Sequence, residues 1–272
     1  MSQGEQDYVL GTHREELERL GLQHRAWRPT VLECWRQAGI RQGWRVLDVG
    51  VGPGYATVDL AEIVGAAGRV IAVERSRHFV EAAREACRAR GLAHAEVLEL
   101  DLMSDPLPAQ DMDASWCRWV ASFVSSPSTL VAKLAAALRP GGVAIFHEYA
   151  DYATWRFAPR SPAIEEFVQL VMDSWRASGG EPDVALSLPA LLSGAGFRVR
   201  QAAPRIFCVR PGDPIWQWPA SFIGVHLDHL LELGRVSESW AASVRRELEE
   251  RAADANGLML TPMVLEIVAE RL

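Results

Sequence analysis

Val46-Leu47-Asp48-Val49-Gly50-Val51-Gly52-Pro53-Gly54 is a short apolar run with one embedded aspartate that ends in three glycines at alternate positions. The next run, Thr57 to Val64, repeats its apolar residues at helical spacing. The stretch therefore reads as strand, tight turn, helix. Glycine is required where a backbone turns sharply or lets a ligand approach with no Cβ in the way. The amides and positive dipole end of the following helix favour a polar or anionic ligand group. The turn predicts a nucleotide-like ligand.

Working outward, strand and helix alternate, the pattern that builds a parallel sheet covered on both faces. Strands are expected at Arg45–Val49, Val70–Glu74, Glu96–Leu100, Asp113–Cys117 and Val143–Phe146. Between them, Phe79, Ala82, Ala83, Ala86 and Cys87 share one helical face, and Leu130, Val131, Leu134 and Leu138 another, which Pro140-Gly141-Gly142 stops. Upstream, Leu17, Leu20, His24, Trp27, Val31, Cys34 and Ala38 form a helical stripe, read as interrupted at Gly21 and restarted at Pro29. Trp27 and His24 either pack on the sheet or belong to a helix that closes over the ligand, and Tyr8 falls in a polar lead that folds over the same site. Beyond Glu148 the alternation changes. Ser161-Pro162 is an N-cap and first-turn pair, with Ile164, Phe167, Val168, Val171, Met172 and Trp175 on the apolar face that follows. A strand is expected over Phe197–Val209, helices over about 215–255, and a last strand over Met263–Ala269. The chain thus divides into an N-terminal helical cap segment (1–42), a core (43–150), a helical insertion (151–187), a core helix and strand (188–212), a second insertion (213–257) and a last core strand (258–272). The insertions would lie over the carboxyl ends of the strands, where ligands sit in open α/β folds.

Composition narrows the function. The 272 residues carry a net charge of −7 and are 49% hydrophobic, enough for one large core. Lys133 is the single lysine, and the arginines are scattered, so no phosphate-tracking face and no nucleic-acid partner are expected. Cys34, Cys87, Cys117 and Cys208 are far apart, without CxxC or histidine spacing for a metal, and read as free buried thiols of a reducing cytoplasm. No apolar run approaches the roughly 18–20 residues of a membrane span, and no signal pattern is visible. A cytoplasmic protein without membrane contact is expected, and a homodimer stays open.

The glycine spacing decides the ligand. A dinucleotide turn reads G-x-G-x-x-G, which disfavours a nicotinamide dehydrogenase. G-x-G-x-G preceded by Asp48 resembles motif I of the class I S-adenosylmethionine (SAM) methyltransferases. The resemblance covers residues 40–150 well, and Leu138-Arg139-Pro140-Gly141-Gly142 matches the family's L-x-P-G-G. With Leu22-Gln23-His24 ahead of motif I, the chain resembles bacterial small-molecule methyltransferases of the ubiquinone/menaquinone C-methyltransferase-like group. It implies a Rossmann-like sheet of seven strands, the last antiparallel, with helical cap insertions. It also implies roles: Asp48 orders the turn near the methionine part of SAM, and Gly50, Gly52 and Gly54 pack against the cofactor. Glu74 with Arg75 meets the ribose, Asp101 and Leu102 meet adenine, and Arg118 with Trp119 lines the methyl-donor pocket. A carboxylate at Glu74 suits a vicinal diol because it accepts two hydrogen bonds.

The expected reaction is methyl transfer to an O, N or C atom of a small organic acceptor, releasing S-adenosylhomocysteine. A sulfonium methyl is already activated, so positioning supplies much of the rate. A base is needed only if the acceptor loses a proton; His147 is the first candidate, followed by Glu148, Tyr149, Asp151, Tyr152, His226 and His229. The alternatives are other SAM chemistry on the same fold, such as cyclisation or decarboxylation, and a non-catalytic SAM-binding module. The aromatics Trp155, Phe157, Phe167, Trp175, Trp216, Trp218, Phe222 and Trp240 suggest an apolar, closed acceptor pocket.

Overall fold

The computed structural model describes residues 14–272, so Tyr8 lies outside the described residues. Its first element, α1 (Arg14–Ala38), is one continuous helix and corrects the expected break at Gly21 and Pro29. Gly21 is a contact residue: a Cβ there would come within 2.8 Å of Tyr55 Oη, and Tyr55 donates to the Leu17 carbonyl at 3.1 Å. Pro29 removes a helix hydrogen bond, a cost of about 3 kcal/mol. Burial of Trp27, Val31, Cys34 and Trp35 on the sheet offsets it.

The core then follows the expected alternation: β1 (Arg45–Val49), α2 (Tyr55–Val64), β2 (Arg69–Glu74), α3 (Arg77–Ala89), β3 (Ala95–Glu99), β4 (Met112–Arg118), α4 (Pro127–Ala137) and β5 (Leu138–Asp151). In β1 every residue but Arg45 is buried, as a parallel strand covered by helices must be. β5 is longer than expected and runs past Glu148 to Asp151, so His147 sits inside the strand rather than at its end. Beyond it come β6 (Arg156–Ala158), α5 (Pro162–Ala177), α6 (Leu188–Gly194), β7 (Phe197–Arg205), β8 (Cys208–Val209), α7 (Gln217–Glu232), α8 (Glu238–Ala253), β9 (Leu258–Leu260) and β10 (Met263–Arg271). Ser161 caps α5 as expected, accepting from Ile164 N.

The main sheet has seven strands in the order β3-β2-β1-β4-β5-β10-β7. β10 is antiparallel to both its neighbours, as expected of the last strand. No sequence pattern marks the second sheet, β6-β9-β8; its strands are two or three residues long, too short to show a period. It splits the strand expected over Phe197–Val209, and it leaves Cys208 exposed where a buried thiol was expected. No helix among the described residues is long and apolar enough to cross a membrane.

A buried ion pair fixes β10. Glu266 opposes His147 on β5 and accepts from His147 Nε2 at 3.0 Å, Gln201 Nε2 at 2.9 Å and Arg205 Nη2 at 2.9 Å. Burial alone would raise the Glu266 carboxyl, but His147 and Arg205 hold it below its ordinary range. Cys34 joins this group, with one ligand atom each from Cys34, His147 and Glu266 lying within 4.8 Å of one another. Arg205 already neutralises Glu266, and burial pushes the Cys34 thiol well up. The group reads as an ion-paired joint between strands.

His226 on α7 is buried against Phe222, with ring centroids 5.0 Å apart, and neither ring nitrogen finds a partner. Burial lowers its pKa from 6.5 to about 3. The folded state thus refuses a proton that the unfolded chain takes up below 6.5, so stability is lost as the pH falls. From about pH 7 to about pH 5, His226 alone should cost the wild type about 2 kcal/mol. Urea denaturation of His226→Leu should show the variant gaining on the wild type by that amount over the same interval; a constant gap would contradict the assignment.

Candidate active site

A cleft of about 1070 Å³ opens at the carboxyl ends of the parallel strands. Its floor is the turn read first from the sequence. Asp48 is buried at the end of β1 and accepts from Thr57 Oγ1 at 2.6 Å, tying the strand to α2. Burial pushes its carboxyl up to about 7, with the Thr57 bond and Arg118 pulling it back. α2 begins at Tyr55 with no side-chain cap, which leaves its first amides to a ligand.

The three glycines turn out to do different things. A Cβ at Gly50 would come within 2.3 Å of Val120 Cγ2, and one at Gly54 within 2.6 Å of the Ala83 Cβ. Both positions are dictated by packing of the protein on itself. Gly52 has φ +53° and would meet only Leu20, at 4.0 Å. It lines the cleft, so a side chain there would fill ligand space. That open cradle fits a flat nucleoside lying along the turn.

Glu74, at the end of β2, is engaged by the backbone. Oε1 accepts from Arg75 N at 3.0 Å and Ser76 N at 2.9 Å, and Oε2 accepts from Gly52 N at 3.0 Å. A carboxylate has about four acceptor sites, so capacity for one ligand hydroxyl remains. A second would displace an amide. Burial raises the Glu74 pKa and these three amides draw it back. Asp101 Oδ1 accepts from Met103 N at 2.7 Å, shaping the loop that puts Asp101, Leu102 and Met103 on the cleft wall. Arg75 is exposed at the rim.

On the other side of the turn, Trp119 adopts φ +53°, a conformation costly for a bulky residue. Glu148 holds it there. Its Oε1 accepts from Val120 N and Ala121 N, both at 2.8 Å, and its Oε2 from Ser122 Oγ at 3.2 Å. Burial pushes Glu148 up to about 7 against the pull of those donors. The Trp119 ring is thereby stacked on Tyr149 at 5.7 Å and on Trp218 at 5.6 Å.

Of the residues singled out in the sequence, Asp48, Gly50, Gly52, Glu74, Arg75, Asp101, Leu102 and Arg118 come together on this cleft, and Gly54 and Trp27 do not line it. Trp27 is fully buried, edge-on to Trp119, Trp218 and Phe207. His147 is also fully buried and bonded to Glu266, and its side chain does not line the cleft. Its expected place beside the donor depended on β5 ending sooner. Tyr149 and His229 line the cleft; Glu148, Asp151, Tyr152 and His226 do not.

Sequence reasoning missed Glu16, Arg19 and Gln23. They occupy one face of α1, joined by Arg19 Nη2 to Glu16 at 2.6 Å and Arg19 Nη1 to Gln23 at 3.1 Å. Their spacing of three and four residues is the signal in the sequence that puts them on one helical face. Phe123 and Phe222 also line the cleft.

Residues 46–142 match the model of a methyltransferase domain. A 2-phytyl-1,4-naphtoquinone methyltransferase of Synechococcus elongatus is 31% identical over 155 residues, covering 56% of this chain and 61% of the relative. A demethylmenaquinone methyltransferase of Geobacillus stearothermophilus is 26% identical over 134 residues, covering 49% and 56%. The chain thus spans less than two thirds of the length of these curated relatives. The YcgJ protein of Bacillus subtilis aligns with a TM-score of 0.55 at 16% identity, over 91% of this chain and 98% of that one. The cyclase SpnF aligns with a TM-score of 0.55 at 22% identity, over 90% and 80%. Identities this low show a shared fold. Residues 46–142 are thus similar to a methyltransferase domain, and the chain has the Rossmann-like fold of seven main-sheet strands with the last antiparallel.

The two kinds of glycine make a direct test. Gly52→Ala should cost about 1–2 kcal/mol of stability through its left-handed φ and impair SAM binding by occupying the cleft. Gly54→Ala drives a methyl to 2.9 Å from the Ala83 backbone and should lose more stability than Gly52→Ala. Thermal denaturation and calorimetric titration with SAM, run on both variants, check the contrast.

Proposed function

We propose that the chain transfers a methyl group from SAM to a small organic acceptor and releases S-adenosylhomocysteine. The carrying observation is the order of groups across the sheet. Asp101 follows β3, Glu74 ends β2, the glycine turn follows β1 and Arg118 ends β4, and these strands are neighbours in that order. Adenine, ribose, sulfonium and amino acid follow one another in the same order along SAM. Bound there, SAM would supply an activated methyl group. The chain's own part is to orient the acceptor and exclude water.

The far half of the cleft supports an acceptor with an apolar, planar body. Phe123, Tyr149, Trp175 and Phe222 face it together with Trp119. The indole Nε1 groups of Trp119 and Trp175 are buried without a partner, and donors in that state are costly unless an acceptor atom arrives. An acceptor ring bearing oxygen would satisfy them. The relatives named for naphthoquinone and demethylmenaquinone support the same class. If the acceptor must lose a proton, Tyr149 and His229 are the expected candidates that reach the cleft.

The test is incubation with SAM and a panel of quinols and phenols, followed by analysis of the nucleoside product. S-adenosylhomocysteine with a methylated acceptor supports the reading, whereas methylthioadenosine would show other SAM chemistry. Glu74→Ala should weaken SAM binding by about 1.5–3 kcal/mol through loss of a charged hydrogen bond. Unchanged affinity in calorimetry would remove Glu74 from the ribose site.

A further inference from the structure

The α1 wall of the cleft is polar where it meets the aromatic half. Glu16, Arg19 and Gln23 line the cleft and are only 2%, 7% and 7% exposed. Each is held by the one before it along the helix. Both oxygens of Glu16 accept from Arg19, Oε2 from Nε at 2.7 Å and Oε1 from Nη2 at 2.6 Å. That fork neutralises the guanidinium and sets its plane. Arg19 Nη1 then donates to Gln23 Oε1 at 3.1 Å. A guanidinium can only donate, so the carboxamide must turn its oxygen to Arg19 and its Nε2 away. Nε2 has no hydrogen-bond partner among the described residues, and Gln23 lines the cleft, so its two N–H groups are left to a ligand.

The neighbours of Gln23 on α1 decide which part of the cleft it faces. One turn before it, Arg19 Cζ lies 5.8 Å from the Phe222 ring centre. One turn after it, Trp27 stands edge-on to Trp119 at 5.5 Å and to Trp218 at 4.9 Å. Residues four apart share a helix face, so Gln23 is set between Phe222 of α7 and the Trp119 stack. A second donor, the Trp119 indole Nε1, is buried there without a partner. Two uncharged donors, one from α1 and one from the segment after β4, thus border the same aromatic space. Arg19 is already neutralised by Glu16, so what these groups offer suits neutral oxygens and not an anion.

We propose that Gln23 is a specificity residue for the acceptor. Its Nε2 binds a second oxygen on the acceptor ring, and Arg19 and Glu16 are positioning residues that orient the amide. The inference deepens the reading of the aromatic half as an acceptor pocket and rests on it. The class selected is an aromatic ring with two oxygens, such as a hydroquinone, over a ring with one. An acceptor lacking the second oxygen leaves a buried carboxamide donor unpaired, and the penalty falls on the wrong substrate. No covalent bond to Gln23 is made or broken.

The test follows S-adenosylhomocysteine release from SAM, without oxygen, on either 1,4-dihydroxynaphthalene or 1-naphthol. Comparing each variant with the wild type on the same ring cancels the intrinsic reactivity of that ring. Gln23→Leu should lower kcat/KM for the diol by roughly 5- to 50-fold, the scale of a lost donor, and leave 1-naphthol within about threefold. Arg19→Lys keeps a cation beside Glu16 but loses the planar fork. It should lose part of the diol rate and again spare 1-naphthol. Turnover of 1-naphthol also reports that each variant is folded and binds SAM. A loss in Gln23→Leu no larger on the diol than on 1-naphthol would overturn the assignment while leaving the acceptor pocket in place. A wild type that methylates neither ring would overturn the reading of an oxygen-bearing aromatic acceptor, and this inference with it.

Discussion

One carboxylate holds two strand–helix turns in register. Glu74 accepts from Gly52 in the turn after β1 and from Arg75 and Ser76 in the turn after β2. Parallel strands end side by side, and their turns would otherwise be independent loops with backbone donors facing a cleft. Bonding them to one side chain satisfies three amides and fixes the floor of the site before any ligand arrives. The same device recurs along the sheet. Asp48 ties β1 to α2 through Thr57, and Glu148 on β5 gathers the amides after β4. Three acids at or near strand ends, each paired with a neighbouring segment, make the carboxyl edge of the sheet rigid.

That rigidity carries an electrostatic cost. Burial raises Asp48 and Glu148 to about 7, so each carboxyl sits near the midpoint of its titration at neutral pH. Backbone amides partly compensate at Glu148, and the Thr57 hydroxyl and Arg118 do so at Asp48. Trp119 shows what the arrangement achieves. Its left-handed backbone is held by the Glu148 bonds that follow it, and its ring closes an aromatic stack with Tyr149 and Trp218. A strained residue at the junction of the two halves of a cleft is a common mark of a functional site.

The fold by itself does not name a reaction. The cyclase SpnF and the methyltransferase domain model both match this architecture, so function has to be argued from the side chains in the cleft. The half nearest the glycine turn is polar and ordered by backbone bonds. The half under α5 and α7 is aromatic, with buried indole donors left unpaired. The division fits two ligands of different character placed end to end.

The sequence by itself determined the sheet, the turn and most of the polar half of the cleft. Asp48, Gly50, Gly52, Glu74 and Asp101 were legible because each sits at a fixed offset from a strand end, where local geometry dictates the residue. His147 was misplaced by the length of β5, since nothing local marks where a buried strand stops. For Trp27 the sequence leaves core packing and ligand contact both open, because an apolar stripe does not say which neighbour it faces; the structure puts it in the core. The split role of the three glycines, the Glu16–Arg19–Gln23 face, the small second sheet and the Arg118–His24–Asp59 chain were decided by tertiary structure. The glycine roles, the second sheet and the hydrogen-bonded Arg118–His24–Asp59 chain depend on residues far apart in sequence, and the Glu16–Arg19–Gln23 face, though local, meets the cleft only through the way α1 is placed.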